Sequence, residues 1–407
     1  MNYKEAYEKL EKYGQLHVLK YYDELSEIEK GTLLKQIEEL DFGILKYSKE
    51  NTTNQKGEIS PLAAMQLPEI EEHRKRYMEI GVEEIRKGKV AAVLLAGGMG
   101  TRLGSDHPKG MFDIGLTRPV YIFQRIIENM LDVVRQAGAW VHLFVMTSDK
   151  NHDMTVAFFE EKGYFGYSKD YIRFFIQDVV PASDYEGNVY MEERWKIATS
   201  PNGNGGWFSS MNKCGLLNIV REDGIEWINV FAVDNVLQRI ADPCFVGATI
   251  DNGCVAGAKV VKKNSPDERV GALCLEDGRP SIVEYYELTD EMKMAKDADG
   301  NPAYDFGVIL NYIFKTQTLV EIMDRQLPLH VVEKQIPYMD DTGRHIEPDV
   351  PNGYKYETLV LDMIHQVDTC LAYEVEREKE FAPIKNATGI DSVETARELC
   401  KENGILL

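Results

Sequence analysis

From Val90 onward, the sequence alternates short apolar runs with longer stretches in which apolar residues recur at helical spacing. The runs include VAAVLLA, VHLFVMTS, YIRFFIQ and IEWINVFAVDN, and the stretches between them include PVYIFQRIIENMLDVVRQAG and WFSSMNKCGLLNIV. Continuous apolar strands that alternate with amphipathic helices are typical of a mixed, mostly parallel sheet with helices on both faces. The sequence therefore predicts an α/β fold built around such a sheet.

The flanking regions differ in pattern from this central region. Residues 2–46 carry leucines and isoleucines at helical spacing, and a second helix is predicted from about Pro68 to Lys87. A polar stretch at 48–60, SKENTTNQKGEIS, is the best candidate for a linker. The sequence thus predicts three parts: a helical N-terminal segment at 1–85, a central domain at 86–330 and a small C-terminal lobe at 331–407.

Charge and composition limit the partners that the chain can take. Lys and Arg number 46 against 67 Asp and Glu, which gives a net charge of -21 and argues against general binding to nucleic acid or to a membrane surface. An anionic substrate would need a local group of basic residues. The chain shows neither a signal-peptide pattern at its start nor an apolar stretch long enough to span a membrane, so we predict a cytoplasmic enzyme.

A glycine-rich stretch, LLAGGMGTRLGSDHPKG at 94–110, comes after the first predicted strand. Gly98, Gly100 and Gly104 have one residue too many for the dinucleotide-binding fingerprint, and Lys109 lies between Pro108 and Gly110 rather than in a P-loop motif. This spacing argues against a nicotinamide-dependent dehydrogenase.

The same stretch nevertheless has the residues that an anion site needs. Glycines let backbone N–H groups approach an anion, a following helix N-terminus would add positive potential, and Arg102 and Lys109 supply full charges. We expect this loop to bind a polyphosphate. The alternative is a tight strand-to-helix turn whose Arg and Lys point into solvent.

Further candidates lie at strand ends and in loops. Asp234, at the end of IEWINVFAVDN, would suit Mg²⁺, although it could instead cap a following helix. The loop SPNGNGGWF at 200–208 could present Asn204 to a sugar or base, or could be an ordinary turn. Glu284 would be costly to bury unpaired, and Lys385 in a small apolar loop could be a surface lysine. No G-x-S-x-G or H-E-x-x-H motif supports a hydrolase triad or a zinc enzyme.

Motifs along almost the whole chain carry a resemblance to a known family. They occur in this order: GQLHVLKYYDEL, LAGGMGTRLGSDHPKGMFDIGL, SPNGNGGWF, NVFAVDNVLQRIADPCFVG, VEYYEL, IEPDVPNGYKYETLVLD and YEVEREKEFAPIKNA. The sequence resembles the UDP-N-acetylhexosamine pyrophosphorylases, within the UTP-dependent sugar-1-phosphate uridylyltransferases. The resemblance implies a Rossmann-like nucleotidyltransferase fold, with UTP and a sugar 1-phosphate as substrates, a UDP-sugar and pyrophosphate as products, and Mg²⁺ as cofactor.

The resemblance also implies roles for individual positions. They are, from nucleotide to sugar: Leu95, Ala96, Gly97 and Gly98 along the uridine; Gln177 and Gly203 at the uracil edge; Arg102, Lys109 and Lys385 at the phosphates; Asp234 as the magnesium ligand; and Asn204, Gly271 and Glu284 at the sugar.

The chain departs from the family pattern at the sugar end. Eukaryotic members typically carry N-A-G-N where this chain has DFGV, so Val308 stands in place of an asparagine. Leu359 and Leu361 stand where relatives have phenylalanines. These changes affect sugar discrimination more than chemistry, so glucose or galactose 1-phosphate remain alternatives to the N-acetylated sugars. A UDP-sugar-binding sensor without activity is the non-enzymatic alternative.

Overall fold

The computed structural model describes residues 1–48, 56–298, 300–323, 325 and 327–407. Most of the predicted linker at 48–60 lies outside the described residues.

Helices account for the amphipathic stretches of the sequence. The α-helices are α1 (Tyr3–Lys12), α2 (Glu27–Glu39), α3 (Leu67–Arg86), α4 (Ile122–Ala137), α5 (His152–Glu161), α6 (Trp207–Lys213), α7 (Leu217–Glu222), α8 (Pro243–Asp251), α9 (Asp290–Met294), α10 (Thr316–Met323), α11 (Val360–His365), α12 (Arg377–Glu380) and α13 (Val393–Glu402). Short 3-10 helices include Leu16–Leu19, Tyr22–Glu24, Phe42–Ser48, Thr101–Leu103, Lys109–Met111, Lys169–Tyr171 and Asn204–Gly206. The helices predicted within 2–46 and at about 68–87 are confirmed.

Strands account for the short apolar runs. They are β1 (Ile59–Pro61), β2 (Val90–Leu95), β3 (His142–Thr147), β4 (Ile172–Ile176), β5 (Val179–Pro181), β6 (Met191–Glu193), β7 (Lys196–Ile197), β8 (Thr199–Pro201), β9 (Trp227–Ala232), β10 (Ala256–Lys262), β11 (Ala272–Glu276), β12 (Arg279–Val283), β13 (Phe306–Lys315), β14 (His330–Lys334), β15 (Tyr338–Met339), β16 (His345–Ile346), β17 (Gly353–Glu357) and β18 (Cys370–Glu374).

The chain forms two compact units, and each is built from separate stretches of sequence. Unit 1 consists of Met1–Gln55, Asp178–Gly206 and Leu327–Leu359, and unit 2 of Lys56–Gln177, Trp207–Gln326 and Val360–Leu407. These stretches differ from the three consecutive parts that the sequence suggests. The region 331–407 divides at residue 359, and α3 belongs with the central sheet rather than with α1 and α2.

Unit 2 contains a ten-stranded mixed sheet. Its main path runs β1-β11-β13-β9-β2-β3-β4, while β10 pairs with β13 and β18, and β12 pairs with β11. The strands β9, β2, β3 and β4 are mutually parallel. Every residue of β2 is buried, as expected for a strand covered on both faces. The predicted mixed sheet with parallel central strands is therefore confirmed.

Parallel pairing brings several loops to one edge of this sheet. Leu95 of β2 lies beside Met146 of β3 and Ala232 of β9, and Thr147 lies beside Ile176 of β4. The loops that begin at 96, 148, 177 and 233 therefore leave the sheet at neighbouring positions. In open α/β sheets this is the edge where ligands bind.

Unit 1 combines α1 and α2 with four two-stranded sheets. These pair β5 with β8, β6 with β7, β14 with β17 and β15 with β16. Capping boxes at Asn2 and Ser26 define where the two helices begin. Leu10, Leu33 and Tyr356 lie in the apolar core of this unit.

Within unit 2, α3 and α8 pack with their backbones in contact. A Cβ added to Gly81 of α3 would lie 1.8 Å from the carbonyl oxygen of Pro243, and one added to Gly247 of α8 would lie 1.9 Å from that of Tyr77. Only glycine permits this approach.

Among the described residues, no helix is long and apolar enough to cross a membrane.

We expect Gly81→Ala to lower the free energy of unfolding by about 1–3 kcal/mol, because the added methyl group must push α3 away from α8. Gly31, an exposed glycine of α2 with nothing within 4 Å of an added Cβ, is the matched control. Gly31→Ala should instead stabilise by about 0.4–1 kcal/mol. Denaturant unfolding of both variants measures the difference, and a neutral or stabilising Gly81→Ala would contradict the close packing.

Candidate active site

The first half of the glycine loop, defined as residues 96–110, is held by side chains that come after β3. Asn151 is fully buried, and its Nδ2 donates to the carbonyl oxygens of Ala96 (2.9 Å) and Gly98 (3.4 Å). Ser148 Oγ donates to the carbonyl oxygen of Gly97 at 3.0 Å. Three successive carbonyls are thus bonded to the protein, which fixes the backbone of the loop.

Gly98 lies at the open part of this loop. It is exposed, and a Cβ added there would meet no protein atom within 4 Å. The protein itself therefore gives no packing reason for a glycine at this position. Close approach of a ligand to the backbone would give one.

The second half of the loop folds back on the first. The N–H of Gly100 donates to the carbonyl oxygen of His107 (2.8 Å), and the N–H of Lys109 donates to that of Gly98 (3.1 Å). This pairing places Lys109 beside the glycines.

One part of the sequence prediction for this loop is wrong. We expected a helix N-terminus directly after the glycines, but only the three-residue 3-10 helix Thr101–Leu103 is found there, and α4 begins at Ile122. The positive potential expected from a helix directly after the glycines is therefore missing, and Arg102 and Lys109 are the positive charges that this loop itself supplies.

Gln177 lies directly against the glycine loop. Its N–H donates to the carbonyl oxygen of Thr147 at 2.7 Å, which extends the pairing of β3 with β4. The side chain is 7% exposed, and a Cβ added to Gly97 would lie 3.0 Å from its Oε1. The structure thus brings Gln177 together with Gly97, whereas the side chains of Leu95 and Ala96 are buried and leave only backbone atoms for contact.

A charged cluster, defined as Arg102, Lys109, Asp234 and Lys385, lies beside the loop. Lys109 Nζ is 3.8 Å from Asp234 Oδ2, and the two side chains are 16% and 23% exposed. Burial lowers the pKa of the Lys109 ammonium, Asp234 opposes this effect, and the positive charges of Arg102 and Lys385 lower the pKa further. Three cations therefore share a site with Asp234, and a bound polyanion would relieve their repulsion.

Lys385 enters this cluster because its segment pairs with the turn after β9. The N–H of Ile384 donates to the carbonyl oxygen of Asp234 (2.9 Å), and the N–H of Val236 donates to that of Ala382 (3.3 Å). Asn235, 1% exposed, donates through Nδ2 to the carbonyl oxygen of Glu380 (2.7 Å) and accepts from the N–H of Ala382 (3.0 Å). Residues far apart in sequence are thus fixed next to each other.

The structure answers two questions that the sequence left open. Asp234 does not cap a helix, because α8 begins at Pro243 and its N-cap is Asp242. Lys109 is mostly buried, so the simple turn with both basic side chains in solvent does not describe it. Arg102 is exposed and forms no ion pair with any of the described residues.

Asp234 fits a magnesium ion that arrives with its substrate. Mg²⁺ commonly uses one or two protein carboxylates and completes its shell with substrate phosphates and water. The described residues contain no group of three or more His, Cys, Asp or Glu side chains that could hold a metal ion by themselves. Asp234, partly exposed beside the cations, suits an ion that uses one protein carboxylate and completes its shell with phosphates and water.

A second group of predicted residues meets at the ends of β12 and β13. A Cβ added to Gly271 would lie 3.6 Å from both Glu284 Oε1 and Val308 Cγ2, and the N–H of Val308 donates to the carbonyl oxygen of Gly271 at 2.9 Å. Gly271, Glu284 and the departure Val308 are therefore neighbours. Glu284 is half-buried.

Gly203 and Asn204 belong to unit 1. Gly203 has a φ of +84°, and a Cβ there would lie 2.1 Å from the carbonyl oxygen of Thr358. The N–H of Gly205 donates to the same carbonyl at 2.9 Å. Packing against the strand end at 358 thus accounts for the glycine, and the contacts of Gly203 and Asn204 with substrate remain predictions.

Sequence reasoning missed Asn151. It comes after the strand VHLFVMTS, but an asparagine in TSDKN is typical of an ordinary turn. Only its burial and its two hydrogen bonds to the glycine loop show that Asn151 holds the backbone of the loop.

Asn151→Ala should weaken the binding of UTP, the nucleotide that the resemblance implies, by up to about 30-fold. The substitution removes both bonds to the loop, each contributing about 1 kcal/mol. Titration calorimetry measures the affinity. Asn403 is a matched control because its Nδ2 also donates to two carbonyls, those of Glu378 and Leu399. Asn403→Ala should leave the affinity unchanged, and equal losses in both variants would argue against a specific role of Asn151.

Comparison with known proteins identifies the family. A family model described as UTP–glucose-1-phosphate uridylyltransferase matches residues 42–402. UDP-N-acetylglucosamine pyrophosphorylase of Saccharomyces cerevisiae is 35% identical, with 94% of this chain and 86% of the yeast protein covered. UDP-N-acetylhexosamine pyrophosphorylase-like protein 1 of Homo sapiens is also 35% identical, with 96% and 82% covered.

A solved structure gives the same result. The uridine diphosphate N-acetylglucosamine pyrophosphorylase of Trypanosoma brucei, in complex with an inhibitor, has a TM-score of 0.82 at 29% identity and covers 96% of this chain and 83% of its own. The resemblance seen in the motifs is confirmed: the chain belongs to the UTP–glucose-1-phosphate uridylyltransferase family.

Proposed function

We propose that this protein transfers UMP from UTP to N-acetylglucosamine 1-phosphate, forming UDP-N-acetylglucosamine and releasing pyrophosphate, with Mg²⁺ as cofactor. Relatives named as UDP-N-acetylglucosamine pyrophosphorylases support the sugar. The observation that carries the proposal is the charged cluster beside an exposed glycine loop. Lys109 lies 3.8 Å from Asp234, and Arg102 and Lys385 are near enough to lower the pKa of Lys109, at the sheet edge where a nucleotide is expected.

The proposed reaction requires little general acid–base catalysis from the protein. The nucleophile is a phosphate oxygen of the sugar 1-phosphate, which is already anionic, and the bond that breaks joins the α-phosphorus of UTP to the oxygen bridging to the β-phosphorus. Catalysis then consists of in-line positioning and stabilisation of the charge that develops on pyrophosphate.

Arg102, Lys109 and Lys385 suit the leaving pyrophosphate. Their charges would attract the β- and γ-phosphates. Lys109 is mostly buried, and an ion pair with phosphate is stronger in a buried environment than in water. Asp234 would hold Mg²⁺ together with phosphate oxygens, and the ion would neutralise charge on the reacting phosphates.

Uridine would lie along the glycine loop. The backbone at 96–98 is held because Asn151 and Ser148 bind its carbonyls, and Gln177 would offer an amide to the uracil edge. At the sugar end, Glu284 would accept hydrogen bonds from hydroxyl groups. Gly271 lies next to Glu284, and its lack of a side chain is explained by Ile282, whose Cγ2 would lie 2.8 Å from an added Cβ. Val308 offers no amide to the sugar, which would weaken discrimination between sugar 1-phosphates without changing the reaction itself.

A panel of sugar 1-phosphates tests the proposal. The protein is incubated with UTP, Mg²⁺ and the 1-phosphates of N-acetylglucosamine, N-acetylgalactosamine, glucose or galactose, and pyrophosphate release is assayed. We expect the highest kcat/KM with N-acetylglucosamine 1-phosphate. Preference for glucose 1-phosphate would instead support a UDP-glucose pyrophosphorylase, and tight UDP-sugar binding without any turnover would support a sensor.

Lys109→Ala should lower kcat/KM for UTP by about 100-fold or more, because it removes a charge that stabilises the leaving group. Lys89 is the matched control, since it precedes β2 at the other end of the strand that leads into the glycine loop. Lys89→Ala should leave the steady-state rates unchanged. An unaltered kcat/KM in Lys109→Ala would refute the assignment.

Asp234→Asn should reduce activity and raise the Mg²⁺ concentration needed for half-maximal rate. An amide keeps the shape of the side chain but loses the charge that a hard cation prefers. Asp251→Asn is a control of similar burial, because Asp251 pairs with Arg76 at 2.6 Å and is 18% exposed. A magnesium titration that is the same for wild type and Asp234→Asn would rule out Asp234 as the ligand.

A further inference from the structure

Lys385 is held by Asp391 through both its side chain and its backbone. The ammonium of Lys385 donates to Asp391 Oδ2 at 2.9 Å. The backbone N–H groups of Lys385 and Asn386 both donate to the carbonyl oxygen of Asp391, at 2.6 and 3.0 Å. One aspartate thus fixes both the backbone and the charged end of the lysine.

Asp391 is itself anchored to the core of unit 2. It precedes Ser392, the N-cap of α13, which is fully buried and takes part in a capping box. The N–H of Val393 donates to the carbonyl oxygen of Asn386 at 3.2 Å, so the loop between 386 and 392 is closed at its base. Val393 and Ala396 of α13 are buried in the same core that contains β2 and β9.

Stability alone does not account for this arrangement. The side chains of Lys385 and Asp391 are 39% and 29% exposed, and ion pairs of such exposure contribute little to stability. Asp391 also has a φ of +52°, a left-handed conformation that costs free energy for a residue with a side chain. A strained residue that fixes a lysine of the charged cluster points to a role for that lysine.

We propose that Asp391 is a positioning residue that acts through Lys385, which rests on the proposed function of the cluster. A lysine ammonium has three donors and a flexible stem. Asp391 accepts from one donor, which leaves two for phosphate oxygens and restricts the stem before UTP binds. The interaction with the leaving pyrophosphate then requires less ordering of the side chain in the transition state.

A different role for Asp391 makes the opposite prediction. If its carboxylate acted only as one more negative charge near the phosphates, its removal would strengthen UTP binding and leave kcat unchanged or higher. Positioning instead requires that kcat falls on removal, and that the fall disappears when Lys385 is absent.

The test is a double-mutant cycle on the full chain with Asp391→Asn, Lys385→Ala and the double variant. We expect Asp391→Asn to lower kcat about tenfold, the equivalent of one hydrogen bond to a charged group, with a smaller change in the KM for the sugar 1-phosphate. In the Lys385→Ala background the same change should alter kcat by less than about twofold. UTP affinity, measured by calorimetry, should not rise in Asp391→Asn.

Glu226→Gln is the matched control. Glu226 pairs with Lys89 at 2.6 Å with exposures of 49% and 32%, at the amino-terminal end of β9 and β2. Thermal unfolding of all variants checks that they are folded, and the control should keep the wild-type kcat.

The outcomes separate the inference from the function on which it rests. Equal losses of kcat in both backgrounds, or tighter UTP binding with an unchanged kcat, would overturn the positioning role while leaving the proposed function intact. A folded wild-type protein that releases no pyrophosphate with any sugar 1-phosphate would refute the proposed function, and the role of Asp391 with it.

Discussion

The pairing of the turn 234–236 with the segment 380–384 is the constraint on which the candidate site depends. Asn235 and the backbone of Asp234 bind this segment, and Lys259, fully buried, donates to Glu380 Oε2 at 2.6 Å and to Asp242 Oδ2 at 3.1 Å. Truncating one partner of such a buried group would leave an uncompensated charge. The contacts therefore fix the segment firmly, and the position of Lys385 beside Asp234 results from them.

The site concentrates positive charge in a chain whose net charge is -21. Burial lowers the pKa of Lys109, Asp234 opposes this effect, and the nearby cations add to it. A triphosphate with Mg²⁺ would place negative charge beside these cations. In the absence of ligand, Asp391 supplies negative charge to one of them by pairing with Lys385 at 2.9 Å. The acidic surface elsewhere gives no general affinity for anions, so recognition rests on this local cluster.

Much of the fold could be predicted from sequence because local periodicity determines it. The parallel strands and α4 are evident in the spacing of apolar residues. The assembly of each unit from separate stretches of the sequence could not be predicted, since it depends on long-range packing. The expected helix after the glycines was wrong because glycine spacing does not determine which element comes after a turn. Asn151 and Asp391 were missed because their contacts form only in the folded chain, whereas the roles of Lys109, Asp234 and Lys385 are predictions from motifs.

In the proposed reaction, the protein cleaves UTP between its α- and β-phosphorus atoms and binds the pyrophosphate that leaves. The most direct measurement traces UTP labelled at the γ-phosphorus during turnover with N-acetylglucosamine 1-phosphate and Mg²⁺. We predict that the label appears in intact pyrophosphate, in equal amount to the UDP-N-acetylglucosamine formed. Label released as inorganic phosphate, or retained in the nucleotide sugar, would contradict the account.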